Sequence, residues 1–309
     1  MSAPPPRIAV LIPCRNEAAA IASVVAGFRA ALPEAAIHVY DNNSTDGTAA
    51  LAAAAGALVA HEGLQGKGHV VRRMFADIEA DIYLLVDGDG TYDPAAAPAM
   101  VQRLLAERLD MVTAARRWVG PAAWRRGHRF GNRLLSGAVS RLFGRPVGDL
   151  LSGYRAFSRR FVKSFPALAT GFETETEFTI HALTLAMPMA ELSAAYGDRV
   201  EGSGSKLRTL ADGARIGATI LLLLKEERPL ALFAATGAAL FVLGFGLAVP
   251  IFLTYARTGL VPRLPTAVLS TGLVLLSFLS LACGLILDSV ARGRREAKRM
   301  AYLRIPPPG

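Results

Sequence analysis

The chain has 309 residues, 52% of them hydrophobic, with a formal net charge of +9 and a mean hydropathy of +0.35. It is long enough for one sizeable domain plus a further element, and too apolar for an ordinary soluble protein. Its two cysteines, Cys14 and Cys283, exclude a disulfide framework or a cysteine-ligated zinc site. The basic residues gather beside apolar stretches and in one arginine-rich run without interleaved stacking aromatics, which points away from nucleic acid and toward an anionic membrane surface or a phosphorylated ligand.

Residues 1–6 read as a disordered N-terminus, and "MSAPPPRIAVLIP" has no apolar signal-peptide core, which predicts that the domain after it stays in the cytoplasm. From Arg7 to about Leu109, apolar runs such as "RIAVLIP", "AIHVY", "ALVA" and "IYLLVD" alternate with helix-like stretches such as "EAAAIASVVAGFRAAL" and "KGHVVRRMFADIEA". Strict alternation predicts an α/β fold with a mostly parallel twisted sheet. In such sheets ligands bind beyond the carboxyl ends of the strands. There the polar clusters fall: "PCRNE", "DNNSTDG", "HEGLQGKG" and "DGDG".

The fourth cluster poses an electrostatic problem, because an apolar strand runs into Asp87 and Asp89 around Gly88. Residues i and i+2 of an extended chain share a face. Two carboxylates about 4 Å apart repel by ~4 kcal/mol at an effective dielectric of ~20. The pattern asks for a cation.

Residues 110–204 break the alternation with "RRWVGPAAWRRGHRFGNR", a helix-like "LLSGAVSRLFG", a strand candidate "GYRAFS", then "FETETEFTIHALTLA" and "ELSAAYGDRVEGSGSK". This half reads as an acceptor region added to a nucleotide-binding half, giving one domain over 7–205. Residues 206–228 read as an interfacial amphipathic helix region, with an ordinary packed helix as the other reading. Pro229 to Ala256 and Pro265 to Leu287 carry no charged residue, and each exceeds the ~20 residues that cross about 30 Å of hydrocarbon. Two transmembrane helices, 229–256 and 265–287, are predicted, joined by a short connector and so with both ends on one side. Lys225 and Arg228 precede the first; Arg292, Arg294, Arg295, Lys298, Arg299 and Arg304 lie in a basic tail, 288–309. The positive-inside tendency then predicts a multi-pass protein of the inner (cytoplasmic) membrane, with its catalytic domain and both termini cytoplasmic.

Taken in order, these clusters resemble those of the family 2 glycosyltransferases of the GT-A fold, and more narrowly the polyprenyl-phosphate (dolichol-phosphate) sugar transferases. The resemblance covers roughly residues 7–210, and the two spans fit subgroups that carry their own membrane anchor. It implies that Pro13, Arg15, Asn16 and Glu17 of "IPCRNE" line a nucleoside pocket, where Asn16 as a helix N-cap is the plainer reading. In "DNNSTDGT", Asp41 would accept from uracil or ribose, while Ser44 and Asp46 shape the turn; capping by Ser44, Thr45 or Asp46 follows from residue type alone. Lys67 of "GLQGKG", whose spacing is not a dinucleotide fingerprint, would neutralise phosphate or steady its loop. "DGDGT" becomes the metal-binding DxD element: Asp87 and Gly88 at the ribose or a metal-bound water, and Asp89 on a divalent cation that bridges the donor diphosphate. Hard oxygen ligands suit Mg²⁺ or Mn²⁺. Related synthases often place a glutamine two residues further on; this chain has Thr91, whose hydroxyl can ligate or hold a water.

In the second half the resemblance implies that Arg116, Arg126, Arg129, Arg133, Ser136 and Arg155 receive the acceptor's phosphate, with Arg129, Arg133 and Ser136 at helical spacing. "DLLSGYRAFSRR" sets Ser152, Gly153 and Arg155 after Asp149. "DRVEGSGSKL" resembles the mobile loop that closes over the diphosphate, with Arg199 and Lys206 as its cationic ends. The implied catalytic set is Asp87, Asp89, Arg155, Arg199 and Lys206. Glu173, Glu175 and Glu177 would balance arginines or position the sugar, because a monoalkyl phosphate with a second pKa of ~6 needs no base at neutral pH.

The implied activity is inverting transfer of one sugar from a nucleotide sugar to polyprenyl phosphate at the cytoplasmic membrane face. UDP-sugars (N-acetylhexosamine, hexose or uronic acid) are favoured. The alternatives are a dolichol-phosphate-mannose-like synthase using GDP-mannose, a polysaccharide-extending family 2 transferase, and a nonenzymatic scaffold or sensor. The second lacks support, since the chain has no QxxRW-type element and only two spans. The implied partners are the nucleotide sugar, polyprenyl phosphate and the lipid bilayer, with no nucleic acid; a homo-oligomer is compatible with all of this.

Overall fold

The computed structural model describes residues 5–119, 126–169, 173–198, 222 and 225–308, without the side chains of 126–130. The chain divides into an α/β unit, residues 1–216 with 298–309, and a helical unit, residues 217–297. The loop from Arg199 to Lys206 and most of the expected interfacial helix lie outside the described residues.

In chain order the α/β unit contains β1 (Ile8–Cys14), α1 (Ile21–Ala31), β2 (Ala36–Asp41), α2 (Thr48–Ala54), β3 (Leu58–His61), α3 (Lys67–Asp77), β4 (Ile82–Leu85), α4 (Ala97–Ala106), β5 (Met111–Trp118), α5 (Arg126–Phe143), β6 (Arg155–Ser158), α6 (Arg159–Ser164), α7 (Thr174–Thr184) and β7 (Met189–Tyr196). The strands form one sheet in the order β3-β2-β1-β4-β6-β5-β7. It is a mixed sheet of the GT-A type. The pairs β1/β2, β1/β4, β2/β3 and β5/β7 are parallel, whereas β6 runs antiparallel to β4 and β5. That reversal has a local cause: β6 starts at the end of the sheet where β5 leaves it, Arg155 pairing with Thr113. The chain between them therefore stays at the ligand-binding edge.

The i, i+2 alternation of the strands sorts the core onto two faces. Val10, Ile12, Val39 and Leu84 face Phe28 of α1, Ala52 of α2 and Met100 of α4. Leu11, Tyr83, Leu85 and Phe157 face Met74 and Phe75 of α3, Phe161 of α6 and Phe178 of α7. With helices covering both faces, the strands read as continuous apolar runs.

The helical unit holds α8 (Pro229–Thr258) and most of α9 (Leu264–Leu303), two helices long and apolar enough to cross a membrane, each with a mean hydropathy of 2.2 over its most apolar stretch. At ~1.5 Å per residue α9 extends about 60 Å, twice a hydrocarbon core, so its helical form continues through the basic segment after Leu287. Small residues let the two backbones approach. A β-carbon on Gly237 would lie 2.9 Å from the Ser277 carbonyl oxygen, and Ser270 and Ser280 donate across the pair to the carbonyls of Gly244 and Phe233, each at 2.8 Å. Outward, Phe241, Val242, Phe245, Phe252 and Phe278 are exposed. Such a continuous apolar surface is suited to hydrocarbon rather than water.

Candidate active site

The sheet's strand order reverses at β1, and the polar clusters gather beside that switch point as the topology requires. After β1, Pro13 is buried, and Asn16 sits at φ 53. It does not cap α1. Its N–H donates to Ser44 Oγ at 2.9 Å while its Oδ1 accepts from Thr45 N–H at 2.8 Å, stitching the first cluster to the second. Glu17 N–H donates to Thr48 Oγ1, and Asp46 accepts from Ala18 N–H and Thr48 N–H. The side-chain capping expected of this turn is thus shared between two loops.

Asp41 ends β2 and is buried; its Oδ2 accepts from Ser44 N–H, whereas its Oδ1 has no hydrogen-bond partner among the described residues. A buried carboxylate oxygen without a donor is costly and marks a place for a ligand N–H or O–H. Arg15 is exposed and, with the Gln65 amide turned to face it, donates to that side-chain oxygen from Nε and Nη1. The Cys14 thiol beneath is pushed up to about 12 by burial and then by Asp41, Glu17 and Asp46, so it stays protonated.

Asn42, which sequence reasoning passed over, is the clasp of this region. It is 4% exposed, its Nδ2 donates to the carbonyls of Glu62 and Leu64 at 2.8 Å each, and its Oδ1 accepts from Gly66 N–H at 2.8 Å. That fixes the start of α3, whose first residue is Lys67. Its position inside "DNNSTDG" was the only available signal.

The strand before Asp87 ends at Leu85, so Asp87 and Asp89 lie in a turn where the shared-face argument no longer applies. Each finds a different partner. Lys67 Nζ donates to Asp87 Oδ1 and, at 2.5 Å, to Glu175 Oε1. Burial pulls the lysine's pKa down, but the two carboxylates outweigh it and hold Lys67 charged, above its ordinary range. Asp87 Oδ2 lies against Gly153 so closely that a β-carbon there would overlap it. Asp89 is buried, and its Oδ1 accepts from Thr91 N–H at 3.1 Å and Thr91 Oγ1 at 2.6 Å. Two carboxylates and a hydroxyl are a donor set that fits a hard divalent cation. Glu175, from α7, brings a third acid, and its Oε2 is buried without a partner among the described residues.

Gly153 is held by its N–H donating to Tyr92 Oη at 2.8 Å, and Ser152 Oγ donates to the Ala114 carbonyl at 2.6 Å. Tyr92 packs edge-on against Tyr154 and Tyr196, which ties the DxD turn to the end of β7, just before Arg199.

The predicted acceptor residues spread more widely. Arg116 makes a bidentate pair with Asp149, Nε to Oδ2 and Nη2 to Oδ1, both at 2.8 Å, and lies over the Trp118 and Tyr196 rings. Burial lowers the Asp149 carboxylate's preference for charge, yet Arg116 and Asn132 outweigh it. Arg155 is fully buried: Nε donates to the Ser152 carbonyl, Nη1 to Thr179 Oγ1 and Nη2 to the Leu150 carbonyl. Alternation along β6 turns it inward, opposite Tyr154 and Ala156, so it supports the turn carrying Gly153 rather than presenting an open guanidinium. Its pKa falls to about 10 through burial, leaving it charged at neutral pH. Arg126, Arg129, Arg133 and Ser136 all fall on α5. Arg133 is exposed, whereas Ser136 is buried and accepts from Leu150 N–H; the side chains of Arg126 and Arg129, like Arg199 and Lys206, lie outside the described residues.

A mixed α/β sheet with two acids and a lysine gathered at its switch point is an arrangement compatible with a nucleotide-sugar transferase. Comparison with known proteins supplies the family: the model of "Glycosyl transferase family 2" matches residues 9–165. The chain belongs to that family. Among its relatives, glycosyltransferase AglJ of Haloferax volcanii is 35% identical over 246 residues, covering 79% of this chain and 80% of the relative. The dolichyl-phosphate hexose transferase of the same organism is 29% identical over 222 residues, covering 72% and 95%. Of solved structures, glucosyl-3-phosphoglycerate synthase of Mycobacterium tuberculosis, crystallised with Mn²⁺, UDP-glucose and phosphoglyceric acid, is similar with a TM-score of 0.56 and 26% identity over 71% of this chain and 79% of that one.

Proposed function

We propose that the protein transfers one sugar, with inversion, from a nucleotide sugar to polyprenyl phosphate at the cytoplasmic face of the inner membrane. One observation carries this reading: a GT-A site with a ligand-seeking Asp41 and an Asp87–Lys67–Glu175 cluster shares a chain with two helices able to cross a membrane. A membrane-resident acceptor gives both parts a use. The relatives' names, hexose transfer to dolichyl phosphate among them, and the Mn²⁺ and UDP-glucose of the solved neighbour support the same chemistry.

Asp41 would accept from the base, which favours a UDP-sugar. A divalent cation held by Asp89, with Asp87 and Thr91 beside it, would supply charge to offset the departing diphosphate. Lys67 adds a fixed positive charge on the same side. The acceptor phosphate is mostly dianionic at neutral pH; its oxygen attacks the anomeric carbon as the bond to the diphosphate breaks, and no side chain has to remove a proton. Glu175 therefore serves the lysine and the sugar rather than acting as a base. Arg133, Arg126 and Arg129 of α5 and the Arg199 to Lys206 loop would receive the acceptor and close the site, and residues 206–228 would lie at the membrane surface.

The test is a screen of radiolabelled nucleotide sugars with undecaprenyl phosphate in detergent, comparing wild type with Asp89→Ala. Lipid-extractable label that appears only with polyprenyl phosphate, and is lost in Asp89→Ala, is expected. Full activity of Asp89→Ala would overturn the metal assignment, and no turnover with any donor would favour a scaffold or sensor.

A further inference from the structure

The carboxylate cluster already contains its own cation. Lys67 has a side chain 9% exposed and bonds to both Asp87 and Glu175, which come from opposite halves of the α/β unit. While it does so, Asp87 Oδ1 is taken by an ammonium and Oδ2 faces Gly153. The Asp87 side chain, 32% exposed, is thereby charge-compensated before any metal ion arrives. Nor does Lys67 step aside at no cost, since Asn42 pins the residue before it through the Gly66 N–H. Asp89 and Thr91 remain as protein ligands, and among the described residues no group of three or more His, Cys, Asp or Glu side chains is placed to hold a metal. Mg²⁺ takes about six oxygen ligands and often draws several from substrate phosphates.

We propose that Lys67 is the built-in counter-ion of the acid cluster and makes cation binding conditional on the nucleotide. The divalent ion enters as its nucleoside diphosphate complex, the phosphate oxygens supplying ligands that Asp87 and Glu175 withhold. The ammonium, which repels a free cation, attracts the diphosphate oxygens that the complex carries. One residue thereby sets the order of binding. This rests on the nucleotide-sugar reading above.

Mn²⁺ binding to the full-length protein in detergent, followed by the electron paramagnetic resonance of free Mn²⁺, tests the order without reference to activity. A monovalent and a divalent cation ~6 Å apart in water-like surroundings repel by about a factor of ten in binding. Wild type is expected to hold Mn²⁺ at least about tenfold more tightly with saturating UDP or GDP than without. Lys67→Met should hold Mn²⁺ about tenfold more tightly than wild type in the absence of nucleotide, while Lys67→Arg, which keeps the charge, should not. Nucleotide-free binding by wild type as tight as binding with nucleotide overturns the inference alone, as does a folded Lys67→Met with unchanged nucleotide-free affinity. Mn²⁺ held by no variant, even with nucleotide, overturns the metal-dependent reading and the inference with it. If Lys67→Met does not fold, the wild-type comparison decides.

Discussion

Gly153 offers the most direct probe of how the second half of the domain holds the first-half acids. Substitution with alanine would drive a β-carbon into Asp87 Oδ2. The glycine backbone is pinned through Tyr92, at 2.8 Å, and its neighbour Ser152 through Ala114, at 2.6 Å. The carboxylate, at the tip of a side chain, gives way first. Displacing it weakens a charge-assisted bond to Lys67 worth ~1.5–3 kcal/mol, which corresponds to about a 10- to 100-fold fall in kcat/KM. Stability should fall by only about 1 kcal/mol, because Lys67 keeps Glu175 and the overlap is relieved locally. Initial rates of sugar transfer and thermal melting in detergent read the two effects separately. Rates within about twofold of wild type on folded protein would refute the claim that Gly153 sets the place of Asp87. Loss of folding would show that the backbone, not the carboxylate, yields.

Three further outcomes follow from particular side chains. Burial, with a smaller push from Lys298, lowers His181 from 6.5 to about 3; the unfolded chain binds this proton near pH ~6.5, so stability is complete above that and falls by up to ~1.4 kcal/mol per pH unit below it. His181→Gln should flatten the acid limb of the melting profile, and an unchanged limb would contradict the assignment. Tyr302 Oη donates to the buried Asp110 at 2.8 Å, and its ring lies under the Arg160 guanidinium. Tyr302→Phe should free the C-terminal segment by about 1 kcal/mol, seen as several-fold faster trypsin cleavage after Arg299; an unchanged rate would deny that the contact matters. Gly237→Leu should break the α8/α9 pairing and lower the melting temperature of the protein in detergent, whereas Gly246→Leu, with open space around the added carbon, should not; equal effects would deny the close approach.

Most of the first half was legible because its signals are periodic or local. Alternating apolar runs gave β1 to β4, and long uncharged runs gave α8 within two residues of its ends and the start of α9, whose helix runs on to Leu303 through the basic segment that has no apolar signal. The second half was less so. β5 was missed because "DMVTAARRW" carries two arginines and a tryptophan, which read as surface; in fact only its first half is fully buried, and Arg116 is neutralised by Asp149. Arg155 was expected to face a ligand because its type suits phosphate. Its orientation follows the two-residue period of β6, but the strand candidate alone did not show that both faces of that strand are covered, so that Arg155 is buried like its neighbours.

The electrostatic argument from Asp87 and Asp89 was sound in demand and wrong in geometry. It required a positive charge, and one is there, but it sits on Asp87 alone and comes from Lys67 on a different loop. The strand stopped two residues earlier than the argument assumed, so the acids separated: one was given to an ammonium and the other to a threonine hydroxyl. A sequence shows which charges must be balanced, since that depends on residue type. Which partner balances them depends on loop closure, here by Asn42 pinning the start of α3. Thr91, where the resemblance implied a glutamine, thus becomes part of how Asp89 is held.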